Sequence, residues 1–206
     1  MEVRDSLVDH ARISFLRAVK PTLQLVSMIN WPVRHLINND DYLAAKAVLM
    51  PGMGLVTRTR GCLTNLIILG YWKHAAIYVG EIDGIDYVVE AVGTGVVKTP
   101  LDQFMLNKDD YAAMRPLFAD QSLMDRAAVI CLQQIGSSYD YLFEYNLGDN
   151  SEFYCQELVW YGYEKALNEV ERSSPFTPRE VFGIKYMSPQ DMYNARSKWE
   201  IVIEKE

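Results

Sequence analysis

The spacing of hydrophobic residues divides the chain into two parts. In the first part the apolar residues recur at helical spacing, as Leu7, Ala11 and Phe15 do, and a period near 3.6 predicts amphipathic helices. Further along, short β-branched or aromatic runs alternate with Gly-containing turns, which predicts strands. We therefore expect a helical N-terminal extension over residues 1–50 and one further domain over residues 51–206.

The same patterns predict the individual elements. Four runs predict the first strands: MGLVTRTR from Met53, HAAIYVG from His74, YVVEAVG from Tyr87 and TGVVKTP from Thr94. Thr99 and Pro100 are typical of the N-cap and first position of a helix. Further strands are expected over 111–117 and 199–203. Further helices are expected over 42–49, capped by Asp40 or Asp41, over 122–135, over 153–167 and from Ser188 onward. Helices segregated from a mainly antiparallel meander predict an α+β domain.

Composition and charge narrow the possible functions. The chain has 206 residues, half of them hydrophobic, and a formal net charge of −7, so we expect no broad nucleic-acid-binding face. No stretch reaches the roughly 20 apolar residues that span a bilayer, and the N-terminus lacks a secretory signal pattern. We expect an unexported, cytoplasmic protein, or one carried in a virion or released by lysis. Peripheral membrane contact through the N-terminal helix and the oligomeric state stay open.

The three cysteines argue against a metal site. Cys62, Cys131 and Cys155 are widely spaced and form no CxxC pair, so neither a zinc cage nor a disulfide framework is indicated. We expect no metal and no organic cofactor, because thiol chemistry of the kind described next needs none.

His74 and Glu90 lie at equal distances in sequence from Ile82. If Gly80 to Gly84 forms a hairpin loop, the two residues are directly opposed on adjacent antiparallel strands and close enough to interact. A carboxylate there can accept the imidazole N–H and stabilise the imidazolium. A slip of one residue in register would put Glu90 on the other face of the sheet.

Cys155 falls in the first turn of a predicted helix that follows a turn-rich segment. The positive end of a helix dipole favours a thiolate there, and a neighbouring histidine would complete the nucleophile of acyl transfer. Backbone N–H groups of the same turn can hold an oxyanion. The alternative is that this cysteine is a small core residue of an apolar helix.

Four segments in order resemble a known family: WKHAAIYVG, YVVEAVGTGV, IGSSYDYLFE and FYCQELVW. They resemble the circularly permuted branch of the NlpC-type, papain-like cysteine peptidases, in which the histidine motif precedes the cysteine motif. This branch includes the YiiX-like bacterial proteins and relatives of lecithin:retinol acyltransferase. The resemblance covers about residues 51–193. The cysteine motif of the YiiX-like group usually reads Tyr-Cys-Ser-Glu-Leu, and here Gln156 replaces the serine.

The resemblance implies a papain-like fold in permuted order, with an antiparallel sheet packed against the helix that carries the cysteine. It implies that Cys155 is the nucleophile, His74 its base and Glu90 the residue that orients the base. Tyr139 and Asp140 match a Tyr-Asp pair of the family, so they either line the substrate pocket or simply form a turn. We also list Tyr154, next to the nucleophile, as a candidate substrate contact.

Three functions fit these observations. The first is a cysteine hydrolase that cleaves a peptide or isopeptide amide bond through a thioester. The second is a lipid-directed thioesterase, lipase or acyltransferase, for which the apolar run LTNLIILGYW, residues 63–72, would border the thiol. The third is a non-catalytic binding module on the same scaffold, for which the thiol and the imidazole would lie out of hydrogen-bonding reach.

Overall fold

The computed structural model describes residues 35–60, 68, 70–143, 151–170, 172–181 and 184–205. The predicted helical pattern before residue 35, Cys62 and most of the apolar run 63–72 lie outside the described residues. Of the predicted N-terminal extension, the described part contains the helix α1, Asn39–Lys46. Every helix that the structure describes is too short or too polar to span a bilayer.

The fold is α+β, as the sequence predicts. Its main sheet has six antiparallel strands in the order β10-β5-β1-β2-β3-β4. The elements after α1 are β1 Gly54–Arg58, β2 His74–Ile82, β3 Ile85–Val92, β4 Gly95–Pro100, α2 Leu101–Leu106, β5 Asp110–Pro116, α3 Gln121–Leu132, β6 Ser138–Tyr139, β7 Glu152–Phe153, α4 Cys155–Glu169, β8 Arg179–Val181, β9 Ile184–Tyr186, α5 Pro189–Asn194 and β10 Trp199–Lys205. Strands β6 and β7 form a small parallel pair and β8 and β9 a small antiparallel pair.

The predicted hairpin loop between β2 and β3 was wrong. The turn consists only of Asp83 and Gly84, both with positive φ (53° and 82°), which is typical of the two-residue type I′ turn. Beyond it the register shifts between Tyr78 and Gly80, so Val79 is a bulged residue without a partner on β3.

This register also corrects the predicted alignment of the site. Ala76, and not His74, is paired with Glu90. His74 lies two residues before Ala76 on the same strand and therefore on the same face of the sheet. A diagonal pair of this kind is still within reach of long side chains.

Several predicted helix boundaries also need correction. Helix α1 begins earlier than expected because Asn38 is its N-cap, with a side chain that accepts hydrogen bonds from the backbone of Asp40 and Asp41. Thr99 is not a helix cap: it belongs to β4, and Pro100 precedes α2. The cysteine helix starts at residue 155 and not at 153, because residues 152 and 153 pair with β6.

The helix with the cysteine is held against the sheet by close packing. Helix α4 packs against α3 and against β2 and β3. A Cβ atom on Gly162 of α4 would lie 2.5 Å from Cys131 Sγ of α3, so the two helices approach as closely as a glycine allows. Cys131 is fully buried, and its thiol donates a hydrogen bond to the carbonyl of Leu158. This packing fixes the position of the N-terminus of α4 relative to the sheet.

Candidate active site

His74 and Glu90 form a close pair at one end of β2 and β3. His74 Nε2 lies 2.7 Å from Glu90 Oε2, and the side chains are 20% and 8% exposed. The other carboxylate oxygen, Oε1, accepts a hydrogen bond of 2.6 Å from the hydroxyl of Thr99 on β4. Both oxygens of Glu90 are therefore engaged, which fixes the orientation of the carboxylate and, through it, that of the imidazole.

Cys155 is the first residue of α4 and is only 2% exposed. The carboxylate of Glu157 accepts a hydrogen bond from the backbone N–H of Tyr154 at the start of the helix. After the effect of burial, the Cys155 side chain is the neighbour with the largest influence on the pKa of His74, so the thiol and the imidazole lie close together. Because Nε2 faces Glu90, Nδ1 is the ring nitrogen that remains for the thiol.

The electrostatics favour a charged imidazole. Burial lowers the pKa of His74, but the hydrogen bonds and negative charges of Cys155 and Glu90 outweigh it and raise this pKa from 6.5 to about 9. Burial likewise raises the pKa of Glu90, but hydrogen bonding to His74 and its positive charge prevail and lower it from 4.5 to about 2. The pair is therefore an imidazolium and a carboxylate at neutral pH.

A cation and an aromatic ring lie behind this pair. The charge of Lys108 helps to lower the pKa of Glu90, after the larger contributions of burial and His74. Its ammonium group lies 5.3 Å from the centroid of Phe104, and that ring lies 6.0 Å from the imidazole of His74. Phe104 is almost fully buried in α2, so it provides a rigid apolar wall beside the imidazole.

The entry into β2 is anchored by α5. The side-chain oxygen of Gln190 accepts hydrogen bonds from the backbone N–H groups of Tyr71 (2.7 Å) and Trp72 (3.2 Å). The Trp72 ring packs against Tyr193 with centroids 5.1 Å apart. These contacts hold the two residues that precede the Lys73-His74 pair and so help to position the imidazole.

The same helix contacts the residue that follows the nucleophile. Gln156 is 1% exposed, and its side-chain nitrogen lies 3.5 Å from the sulfur of Met192. Gln156 is therefore a buried packing residue between α4 and α5. The glutamine that stands where the resembled motif has serine thus contacts α5.

The three predicted substrate contacts occupy different environments. Tyr139 is half-buried in β6, paired with Phe153, and its pKa is raised first by burial and then by the charge of Cys155. Asp140 is buried, and its carboxylate accepts a hydrogen bond of 2.7 Å from the N–H of Leu142, as in a turn. Tyr154 is 1% exposed and faces inward. Their role in substrate binding stays a prediction.

Two site residues were missed by the sequence reasoning. Thr99 precedes a proline, which suits a helix cap, but its hydroxyl bonds Glu90 from the neighbouring strand; a polar side chain on that strand is the signal for this contact. Tyr186, at the end of β9, stacks on Tyr154, the residue before Cys155, with ring centroids 5.8 Å apart. The short segment around it carries no periodicity that would have singled it out.

The described residues contain no group of three or more His, Cys, Asp or Glu side chains arranged to hold a metal ion. The arrangement that they do contain is a thiol at a helix N-terminus beside an imidazolium that a carboxylate orients. Such an arrangement can carry out nucleophilic acyl transfer.

Comparison with known proteins agrees with this chemistry. Residues 48–203 match the model of a family described as permuted papain-like amidase enzymes of the YaeF/YiiX, C92 type. No curated protein and no solved structure matches the chain.

Proposed function

This chain belongs to the permuted papain-like amidase family of the YaeF/YiiX type, and from that premise we propose that it hydrolyses a peptide or isopeptide amide bond with Cys155, His74 and Glu90 as its catalytic residues. The observation that carries the proposal is the imidazole of His74, which is bonded to Glu90 at 2.7 Å and whose pKa is also raised by the neighbouring Cys155 side chain, against the effect of burial. A cysteine hydrolase needs this sequence of nucleophile, base and orienting group.

The first half of the proposed reaction acylates the enzyme. The thiolate of Cys155 attacks the carbonyl carbon of the amide, and the π electron pair moves to the oxygen. Backbone N–H groups in the first turn of α4, which have no acceptor within the helix, stabilise that oxyanion. As the intermediate collapses, the C–N bond breaks and the imidazolium of His74 gives its proton to the leaving amine.

The second half releases the acid. His74, now neutral, takes a proton from water, and the resulting hydroxide attacks the thioester carbonyl. The C–S bond breaks, the carboxylic acid leaves and the thiolate–imidazolium pair is restored. Glu90 keeps its charge throughout, which stabilises each imidazolium state without itself transferring a proton.

The electrostatic interaction between His74 and Cys155 supports an enzyme over a non-catalytic binding module, because a module has no need of a charged imidazole beside a buried thiol. The lipid-directed alternative depended on the apolar run at residues 63–72, most of which lies outside the described residues. Within the described part of the chain no contact favours an acyl lipid over an amide, and the family description favours the amide.

The test is a substrate screen with mass-spectrometric detection of products. Short peptides with α-, γ- and ε-linked amide bonds and a parallel set of acyl esters and acyl thioesters of lipids would be incubated with the protein and with Cys155→Ala. We expect release of an amine from at least one amide substrate, and no release by the variant. Turnover of the lipid set alone would replace the amidase proposal by the lipid-directed one. Equal turnover by both proteins would contradict a role for the thiol.

A further inference from the structure

Tyr186 is held next to the residue that precedes the nucleophile. Its ring stacks on the ring of Tyr154, with centroids 5.8 Å apart and an interplanar angle of 28°. The following backbone N–H, that of Met187, donates a hydrogen bond of 3.2 Å to the Tyr154 hydroxyl. Two contacts thus tie the end of β9 to the start of α4, so Tyr186 has a defined position relative to Cys155.

The hydroxyl of Tyr186 is available for a ligand. Among the described residues it makes no hydrogen bond, and the side chain is half-buried. Burial and then the negative charge of Cys155 raise its pKa well above the usual value. The phenol is therefore a neutral O–H donor at any pH at which the enzyme would work, and its ring lies against the residue that precedes the nucleophile.

The neighbouring tyrosines are less suited to this task. The hydroxyl of Tyr141 donates a hydrogen bond to the carbonyl of Gly93 at 2.6 Å. Tyr154 is 1% exposed and its hydroxyl already accepts the bond from Met187. Tyr139 also has a hydroxyl without a hydrogen bond among the described residues, but its ring is enclosed edge-on by Tyr141, at a centroid distance of 4.8 Å.

We propose that Tyr186 is a further catalytic residue, whose hydroxyl donates a hydrogen bond to the carbonyl oxygen of the substrate as that oxygen becomes an oxyanion. The oxyanion would then accept two hydrogen bonds, one from the Tyr186 hydroxyl and one from the backbone N–H of Cys155. No proton is transferred: the oxygen gains the π electron pair, and the phenol keeps its proton. A donor aimed at an oxygen that gains charge only in the transition state accelerates acylation and has little effect on reactions without an oxyanion. The inference rests on the proposed acyl-transfer function.

The test compares two small reagents at Cys155 in Tyr186→Phe and in the unchanged protein. p-Nitrophenyl acetate acylates the thiol through a tetrahedral oxyanion, whereas iodoacetamide alkylates it by direct displacement with no oxyanion. Phenylalanine keeps the ring that stacks on Tyr154 and removes only the hydroxyl. We expect acylation to slow by about 10-fold or more, with alkylation unchanged. Tyr87→Phe is the matched control, because that hydroxyl makes no hydrogen bond among the described residues and its ring lies against Lys98.

Two outcomes would overturn the proposal: unchanged acylation in Tyr186→Phe, or equal slowing of both reagents in that variant. In the first case, selective slowing of acylation in Tyr139→Phe would assign the role to Tyr139. Failure of the proposed function is a separate result. It would appear in the unchanged protein as acylation and alkylation of Cys155 that do not depend on His74, whatever the effect of the tyrosine substitution.

Discussion

His74 Nε2 lies 2.7 Å from Glu90 Oε2, although the two residues are not opposite each other in the ladder between β2 and β3. Near the turn this ladder pairs Gly80 with Tyr87. Continued without a shift, it would place residue 77 opposite Glu90 and put the carboxylate on the face away from His74. The bulged Val79 shifts the register by one residue and brings both side chains to the same face.

Replacement of Gly80, the residue after the bulged Val79, should destabilise the protein. This residue has φ +88°, and a Cβ there would lie 3.1 Å from Pro51 Cγ. We expect Gly80→Ala to lower the free energy of unfolding by about 1–2 kcal/mol, the cost of a left-handed conformation, plus a further loss from the contact with Pro51. Gly84→Ala is the control, because Gly84 also has positive φ but no atom would lie within 4 Å of its Cβ. Urea unfolding that shows the control to be equally or more destabilised would contradict a tight bulge.

Removal of the Thr99 hydroxyl should destabilise the protein, whereas removal of the Thr57 hydroxyl should not. Thr99 bonds Glu90 Oε1, so we expect Thr99→Val to cost about 1–2 kcal/mol in unfolding free energy and to raise the pKa of Glu90. Thr57 lies opposite His74 on β1 and is fully buried, with no hydrogen-bond partner for its hydroxyl among the described residues. Thr57→Val should therefore be neutral or stabilising. Equal effects of the two substitutions in chemical denaturation would refute the assignment of the Thr99 contact.

Removing the charge of Glu90 should lower the pKa of His74. In Glu90→Gln the imidazolium loses its bonded anion, and we expect its pKa to fall by about one unit or more, which corresponds to about 1.4 kcal/mol per unit. NMR titration of the His74 ring protons measures this directly. Glu81→Gln serves as the control. Glu81 lies on β2, the strand that carries His74, but its side chain is exposed. A His74 titration that does not change in Glu90→Gln would show that the carboxylate does not stabilise the imidazolium.

The raised pKa of His74 also makes folding stability depend on pH. The histidine titrates near 6.5 when unfolded and near 9 when folded, so its contribution is complete below pH 6.5 and is lost as the pH rises through about 9. We expect the protein to be less stable at about pH 10 than at about pH 6, by 1–3 kcal/mol from this group. His74→Gln should show a smaller difference between the same two pH values. An equal difference in both proteins would assign the effect to other groups.

The acidic side of the pH profile has the opposite sign. Glu90 has a folded pKa near 2 against 4.5 unfolded. Its contribution is present above pH 4.5 and is lost as the pH falls toward 2. Acid unfolding followed by circular dichroism should therefore begin at a higher pH in Thr99→Val than in the unchanged protein. An unaltered acid transition would mean that the hydroxyl does not help to hold the carboxylate charged.

The strands around the site could be predicted from the sequence, but their register could not. The runs HAAIYVG and YVVEAVG have the alternation of strands, and Asp83-Gly84 is a strong signal for a two-residue turn. Val79, however, is one β-branched residue among several, and no local property marks it as the residue that bulges. The close approach of Gly80 to Pro51, a contact across the fold, accompanies the bulge and is invisible to local pattern.

The residues that complete the site could be predicted only where a motif named them. Cys155 and His74 stand in recognisable segments, whereas Thr99 precedes a proline in a pattern that also suits a helix start. Its hydroxyl bonds Glu90 because β4 pairs with β3 and Thr99 lies opposite Val88. Val88 and Glu90 are two residues apart on β3, so their side chains are neighbours on one face of the sheet. Tyr186 is placed beside the residue before the nucleophile by the tertiary packing of β9 on Tyr154, and no sequence spacing encodes that contact.

The measurement that tests the central claim most directly is the rate at which iodoacetamide alkylates Cys155 in the unchanged protein and in His74→Ala. The reaction is run at about pH 6, where ordinary thiols are almost fully protonated. Peptide mapping would identify the labelled cysteine, with Cys131 as an internal reference, since burial raises the pKa of that thiol to about 12. The account predicts rapid labelling of Cys155, little labelling of Cys131, and loss of the Cys155 reaction without His74. Slow labelling of Cys155 that is indifferent to His74 would contradict the account, because the thiol would then not be activated by the imidazole.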